Sequence, residues 1–463
     1  MERPHAFAAI GLLLTLAGCA NLPEQRPDGS TVGDDQVQSQ PVLSGGSALS
    51  ERQSNRVLQN AAGATSGDER ADVTQLTQAV RKATAAPFVT GNQVALLIDG
   101  PASFGAMRAA IAAAQGSVNL ETYIFADDEL GRDFAQLLMD KARAGVEVRV
   151  IFDAVGSIDT PSQLFDTMRS TGVQIEEYQP FRKVLLFPWR FHKRDHRKLL
   201  VVDGRVAFTG GMNISATYAS SSTSRPGPDK GLTEGWRDTQ ARIEGPAVQQ
   251  LQAIFFETWV RLGGMVSSDA KYFPLLAPLG NDVVATVTST GARQRDEAIY
   301  STYLAAIRHA QHQLWITQAY FAPPPQMRHA LEDAARRGVD VRILLPGFTD
   351  STAILYASQA SYSELLRAGI RLYEMDNALL HAKTALVDDA LVIIGSANLD
   401  YRSFLHNNEI TAAVISDPLA AQMRRAFQTD LDRSHLINVS EWRQRSVLRR
   451  IKEKLSRMFA YWM

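Results

Sequence analysis

The chain has 463 residues, 45% of them hydrophobic, which is enough for two domains with separate cores. Its 48 Lys and Arg balance 49 Asp and Glu to a net charge of −1, excluding the strong overall basicity of a nucleic-acid binder but leaving room for local basic patches. Cys19 is the only cysteine, so an internal disulfide is excluded as well.

In chain order, residues 1–19 open with Arg3 and His5, continue as an apolar run over 6–16, and end Leu16-Ala17-Gly18-Cys19. That ending resembles the lipobox of bacterial lipoproteins, and the run is too short to cross a bilayer comfortably. The expectation is a lipoprotein signal peptide, acylation at Cys19, and a membrane-anchored protein of the bacterial cell envelope facing the periplasm. Ala20 favours the outer membrane by the enterobacterial sorting pattern, although that rule varies among bacteria. Residues 20–87 are polar and rich in Gln, Ser, Gly and Asp, and read as a flexible tether in which 72–86 could form a short helix.

From residue 88 the pattern changes. Strands are predicted at 94–98, 118–125 and 146–152, with helices at 102–114 and 131–144 between them. The same alternation returns at 283–287, 298–310, 314–321, 326–337 and 339–345, and Ala144-Gly145-Val146-Glu147-Val148-Arg149 matches Arg337-Gly338-Val339-Asp340-Val341-Arg342. This predicts an α/β fold of two pseudo-twofold-related lobes, 88–265 and 266–442, each a mixed sheet flanked by helices, with one active site at the seam.

The chemistry sits in a motif that occurs once per lobe. His196-Arg197-Lys198 is followed by four apolar residues, Asp203, and the turn Gly210-Gly211-Met212-Asn213; His381-Ala382-Lys383 leads through Thr384–Val387 to Asp388 and Gly395-Ser396-Ala397-Asn398. In an extended segment, positions i and i+2 share a face, so each His and Lys project together. One H-x-K before an apolar strand is ordinary. Two copies 185 positions apart with matching turns predict facing half-sites: a nucleophile, a general acid and a cationic pocket suited to a phosphodiester, with no metal and no cofactor required.

These paired motifs resemble the phospholipase D superfamily. Trp236-Arg237-Asp238-Thr239, Leu344-Leu345-Pro346-Gly347, Gly395-Ser396-Ala397-Asn398-Leu399-Asp400 and Arg402-Ser403-Phe404 are similar to its bacterial cardiolipin synthase branch. The resemblance implies a phosphatidyltransferase acting through a phosphohistidine, with phosphatidylglycerol as substrate and phosphatidylethanolamine as a second donor candidate. Its alternative is a phospholipase D-type hydrolase. By analogy His196 is the nucleophile and His381 the general acid, though the residues alone leave that assignment open. Lys198, Lys383, Asn213 and Asn398 are expected to stabilise phosphoryl oxygens, and Ser403 to add a hydrogen bond. Asp203 and Asp388 complete the motif and are expected to hold local structure rather than touch substrate. Asp238 and Glu409 are expected to orient His196 and His381 respectively. The branch often carries N-terminal transmembrane helices, from which this chain departs.

Three stretches lie outside the repeat. The segment 181–191 combines Val184-Leu185-Leu186-Phe187-Pro188-Trp189 with flanking cations, suiting either an interfacial membrane contact or a packed connection. The Ser-, Pro- and Gly-rich residues 220–230 suggest a mobile loop near the site. At 443–463 seven Arg and Lys accompany apolar residues at helical spacing. That pattern suits a helix lying on anionic lipid, or one docked on the second lobe with a solvated basic face.

Overall fold

The computed structural model describes residues 39–180, 192–222, 235–266, 270–289, 297–349 and 351–458. Cys19, the segment 181–191 and most of the loop 220–230 fall outside these residues.

The first finding is a correction. The tether expected over 20–87 gives way, in its second half, to two helices, α1 (Glu51–Ala61) and α2 (Gly67–Ala83). Each starts with a capping box, Ser50 with Gln53 and Ser66 with Glu69, which satisfies backbone N–H groups that an open helix end would leave unpaired. Leu58, Leu76 and Val80 enter the core of the second lobe, and Arg81 ties the pair together through Glu51 at 2.9 Å and the Gln40 carbonyl at 2.8 Å. Within 51–83, the polar residues that suggested a tether are the solvent faces of these helices.

The first lobe contains β1 (Phe88–Ile98), α3 (Asp99–Ala113), β2 (Ser117–Thr122), α4 (Glu129–Arg143), β3 (Glu147–Asp153), β4 (Gln174–Tyr178), β5 (Leu199–Val202), β6 (Val206–Gly210), β7 (Thr239–Glu244) and α5 (Val248–Leu262). Its sheet runs β4-β3-β2-β5-β6-β7-β1, with β4, β3 and β2 parallel and the other neighbours antiparallel. The second lobe repeats the plan with β8 (Asp282–Ser289), α6 (Ala298–His309), β9 (Gln313–Gln318), α7 (Pro325–Arg336), β10 (Asp340–Pro346), α8 (Thr352–Gln359), β11 (Arg371–Met375), β12 (Lys383–Val387), β13 (Leu391–Gly395), β14 (Glu409–Ile415) and α9 (Asp417–Leu431). Its order, β11-β10-β9-β12-β13-β14-β8, is the same. The last helix among the described residues is α10 (Val447–Met458).

The two-lobed mixed α/β fold read from the internal repeat is the fold observed. The sheets join edge to edge, because β1 pairs with β7 through its second half and with β8 through its first, Asn92 standing opposite Asp282. Strand periodicity explains the layers. In β5, Leu200 and Val202 point to an outer core shared with α3 and α4, while Leu199 and Val201 point to a central core between the lobes. In β12, Ala385 and Val387 face the other outer core, and Leu386 faces the centre. Strands buried on both faces need the continuous apolar runs that follow each H-x-K. Among the described residues no helix is long and apolar enough to cross a membrane.

Candidate active site

His196 and Lys198 immediately precede β5, and Lys383 opens β12 two residues after His381. Since β5 and β12 run antiparallel to β2 and β9, both motifs lie at the carboxyl ends of the parallel strands, the edge where α/β sheets usually bind ligands. The two lysines adopt one posture: Lys198 Nζ donates to the His196 carbonyl at 2.7 Å, and Lys383 Nζ donates to the His381 carbonyl at 2.5 Å.

The acids pair across the lobes, which reverses the assignment expected from chain order. His196 Nδ1 lies 3.0 Å from both oxygens of Glu409, and His381 Nδ1 lies 2.8 Å from Asp238 Oδ2. The backbone crosses in the same way. His196 N–H donates to the Asn408 carbonyl at 2.9 Å, and His381 N–H donates to the Arg237 carbonyl at 2.8 Å. The segment Trp236–Arg237 pairs in parallel with Leu379–Leu380, bringing the acid-bearing strand of one lobe alongside the motif of the other. Tertiary pairing of this kind overrides proximity in the chain.

Ser403 and Ser396 serve Glu409. The Ser403 hydroxyl donates to Glu409 Oε1 at 2.9 Å and accepts the Asn398 N–H at 3.0 Å; Ser396 donates to Oε2 at 2.5 Å, and Asn407 Nδ2 reaches Oε1 at 3.2 Å. The expected Ser403 contact with substrate is therefore replaced by one with the orienting acid. Asp238 is accommodated differently. A Cβ at Gly211, the position matching Ser396, would stand 2.2 Å from Asp238 Oδ1, so only glycine leaves room for this carboxylate.

The asparagines are not equivalent. Asn213 is held within its lobe, donating to the Tyr218 hydroxyl at 2.7 Å and accepting from Ile124 N–H at 3.2 Å. Asn398 Oδ1 is buried with no hydrogen-bond partner among the described residues. Asp203 and Asp388, placed with the catalytic set by their motif, stand at the far ends of β5 and β12. Asp203 accepts the N–H groups of Gln115, Gly116 and Ser117 at 2.7–2.9 Å, and Asp388 those of Gln311, His312 and Gln313 at 2.8–3.0 Å. Both have positive φ, 53° and 49°, at the turn that reverses the chain. They are structural staples, as their position beyond an apolar strand suggested.

Burial governs the ionisation of the site. It pushes His381 down to about 4, assisted by Lys383 and opposed by Asp238. It also drives His196 well below the ordinary range, together with the charges of Lys198, Lys383 and His381. Lys198 is brought down to about 7 by burial against the attraction of Glu409. Burial raises Glu409 to about 7, opposed by Lys198 and its hydrogen-bond donors. Asp238 resists burial through the charge and hydrogen bond of His381 and stays below the usual carboxylate range. The free site thus presents uncharged imidazoles in a cationic frame.

A second buried cluster under His196 escaped the sequence reading. Glu121, on β2, and Asp195 are almost wholly buried, and none of their four carboxyl oxygens meets a hydrogen-bond donor among the described residues. Burial, then the neighbouring Asp195, pushes Glu121 well above the usual carboxylate range, against the attraction of Arg197. Arg197 faces Glu121 at 3.7 Å, donates to the Glu409 carbonyl at 3.3 Å and to Thr258 at 2.8 Å, linking this cluster to the strand that carries the His196 partner. The corresponding positions in the second lobe are Thr317, Leu380 and Ala382. Charged residues bracketing a motif histidine in one copy alone were the available signal. Aromatic rings complete the walls: Tyr123 lies 5.3 Å from the His196 ring, and Tyr218 and Trp236 lie 5.4 and 5.3 Å from His381.

Two H-x-K half-sites sharing acids across one seam define the phospholipase D class of phosphodiester enzymes. The profile described as "Cardiolipin synthase, PLD-like domain" matches residues 107–223 and 303–431. The chain is 35% identical over 376 residues to the cardiolipin synthase of Geobacillus kaustophilus, covering 81% of this chain and 73% of that one. It is 36% identical over 377 residues to cardiolipin synthase A of Pseudomonas entomophila, covering 81% and 76%. The fold is similar to the crystal structure of phosphatidylserine synthase from Haemophilus influenzae, with TM-score 0.59, 15% identity, and coverage of 80% of this chain and 93% of that one. The chain belongs to the cardiolipin synthase branch of the phospholipase D superfamily, a branch of phosphatidyltransferases.

Proposed function

We propose that the enzyme transfers a phosphatidyl group, through a covalent phosphohistidine, to a hydroxyl of phosphatidylglycerol, forming cardiolipin and releasing glycerol. The observation that carries this reading is the pair of histidines anchored at Nδ1 by carboxylates of opposite lobes. Anchoring at Nδ1 leaves each Nε2 to act on a phosphodiester held between the lobes. His196 Nε2 attacks phosphorus, and the bond to the leaving glycerol oxygen breaks as His381 delivers a proton to it. In the second half His381 takes the proton of the incoming hydroxyl, whose oxygen displaces His196. The bound phosphodiester anion offsets the burial that depresses His381, so the acid form is recovered when substrate is present. Lys198, Lys383 and Asn398 stabilise the phosphoryl oxygens as their charge redistributes. Asp238 and Glu409 hold the two tautomers.

The lipid setting belongs to the same proposal. Acylation of Cys19 would tether the enzyme to a periplasm-facing membrane surface, where phosphatidylglycerol serves as both donor and acceptor. This is supported by the Leu16-Ala17-Gly18-Cys19 pattern. A Cys19→Ser variant should then lose its acyl mass increment and shift from the membrane toward the soluble fraction.

The deciding experiment incubates purified enzyme with phosphatidylglycerol vesicles and EDTA, and resolves the lipids by mass spectrometry. Cardiolipin with stoichiometric glycerol is expected. Phosphatidic acid alone would replace transfer with hydrolysis, and full activity in His196→Ala or His381→Ala would overturn the two-histidine mechanism.

A further inference from the structure

The C-terminal helix α10 is docked by its polar face. Its sequence, Val-Leu-Arg-Arg-Ile-Lys-Glu-Lys-Leu-Ser-Arg-Met, carries five Arg and Lys and a single Glu. Glu453 is the residue it buries, only 3% exposed. Arg445 clamps that carboxylate with Nε at 2.9 Å and Nη2 at 2.9 Å, and Arg449 stands 3.8 Å away. Arg445 and Arg449 also lie over the Trp442 ring at 4.5 and 5.1 Å, and Lys452 over Tyr356 of α8 at 5.5 Å. On the opposite side, Val447, Leu448, Ile451, Leu455 and Met458 are 49–75% exposed. At 3.6 residues per turn these five fill an arc of about 100° centred roughly opposite Glu453. A helix on the surface of a globular protein normally does the reverse, turning its apolar stripe inward.

The position of α10 relates this stripe to the chemistry. It packs on α8, which follows the carboxyl end of β10, the sheet edge that carries the histidines. A cavity of about 260 Å³, lined among others by Ala322, Tyr401, Arg457 and Met458, lies at the end of the helix. Its Ala322 wall belongs to the ribbon in which Phe321–Ala322 pairs with Leu399–Asp400, and the neighbouring Tyr320 ring is 6.5 Å from that of His381. On the same wall Tyr401 adjoins Arg402, whose charge acts on His196. The stripe therefore ends, at Met458, beside a cavity whose Ala322 and Tyr401 walls are neighbours in the chain of Tyr320 and Arg402 near the histidines.

We propose that α10 is a membrane-contact element: its outward apolar stripe enters the interfacial region of an anionic phospholipid leaflet and holds the mouth of the cleft over its lipid substrate. The proposal rests on the phospholipid reading above. Charge identifies the occupant. Lys452 and Lys454 flank the stripe and Arg450 adds a third exposed cation, the arrangement that attracts an amphipathic helix to anionic headgroups. A protein partner fits less well, because a stable interface takes about 20–30 residues a side and the stripe offers five side chains.

The test replaces Cys19 by Ser and places a single labelled cysteine at Ile451→Cys, with Arg205→Cys as the control on the opposite edge of the first sheet. An environment-sensitive fluorophore at 451 should shift to the blue on phosphatidylglycerol vesicles and be quenched by spin-labelled lipid chains. It should respond weakly to phosphatidylcholine, and the label at 205 should stay in water. In the natural background, Leu448→Glu with Leu455→Glu should lower turnover of vesicle lipid about tenfold or more, while turnover of a short-chain, monomerically dispersed phospholipid stays within about twofold. A label at 451 that remains in water while the enzyme consumes vesicle lipid overturns the proposal. So does a blue shift that appears without vesicles and grows with protein concentration, since a second copy would then cover the stripe. Insertion at 451 without turnover of vesicle or dispersed lipid would support the contact and sink the phosphatidyl-transfer reading instead.

Discussion

His196 takes its orienting carboxylate from Glu409, 213 residues further along the chain, with both Glu409 oxygens 3.0 Å from Nδ1. Asp238, much closer in sequence, belongs to His381. Glu409→Gln and Asp238→Asn should each leave the fold intact and lower turnover by about 10²–10⁴-fold, the range expected when an imidazole loses its tautomer control. Nitrogen-15 histidine spectra check the crossing: Asp238→Asn must move the His381 resonances and spare those of His196. The opposite pattern would reject the crossed pairing.

Gly211 should accept no side chain without loss of function. A methyl group there meets Asp238 Oδ1 at 2.2 Å and displaces the carboxylate from His381. Gly211→Ala is expected to lose most of its turnover, about 10²-fold or more, while retaining its circular dichroism. Ser396→Ala, at the matching position, instead removes one donor to Glu409 and should cost about tenfold.

The motif aspartates should behave as structural residues. Removing the Asp203 carboxylate by Asp203→Ala abandons three backbone N–H groups and leaves a β-carbon at φ 53°, costing about 2–4 kcal/mol. Denaturant titration should show that loss, and the folded fraction should keep its KM. A fully stable but inactive variant would return Asp203 to the chemistry.

The cationic frame should weaken as pH rises. Lys198, held at about 7, carries its proton below that pH and loses it above, and Glu409, also at about 7, gains negative charge over the same interval. Both changes disfavour anions. Inhibition by tungstate, whose charge is constant here, should fall between pH 6 and 8.5, by up to about tenfold per unit above 7. Lys198→Met should flatten the profile, and a pH-independent inhibition constant would contradict the shift.

The upward shift of Glu121 beside Asp195 can be tested by stability alone. Glu121→Gln keeps a neutral group able to donate to Asp195 and should change unfolding free energy by less than about 1 kcal/mol, whereas Glu121→Leu strands Asp195 and Arg197 and should cost about 3–5 kcal/mol. Equal, large losses in both variants would mean that Glu121 is ionised.

The sequence made the two half-sites legible because H-x-K, an apolar run and a small-residue turn are local features that occur twice. The internal repeat also placed the strands and helices of both lobes. The partner of each histidine was not legible, since the spacing of Asp238 and Glu409 along the chain says nothing about which strand crosses the seam. Ser403 was misassigned to substrate for the same reason: its hydroxyl turns toward Glu409. The helical hairpin at Glu51–Ala83 was readable in part. Ser50-x-x-Gln53 and Ser66-x-x-Glu69 are capping boxes, but the long polar faces of these helices outweighed that signal. The turn positions of Asp203 and Asp388 were legible, because each follows a mostly apolar strand at the point where the chain must turn.

The shared strand Phe88–Ile98 bears on the order of assembly. During synthesis its first half presents an open edge until residues 282–289 emerge to cover it, and His196 lacks its carboxylate until Glu409 follows. The first lobe folded alone would therefore leave its seam edge open and His196 without its carboxylate. Each half-site is completed only by the other lobe, so a separated first lobe is expected to be inactive.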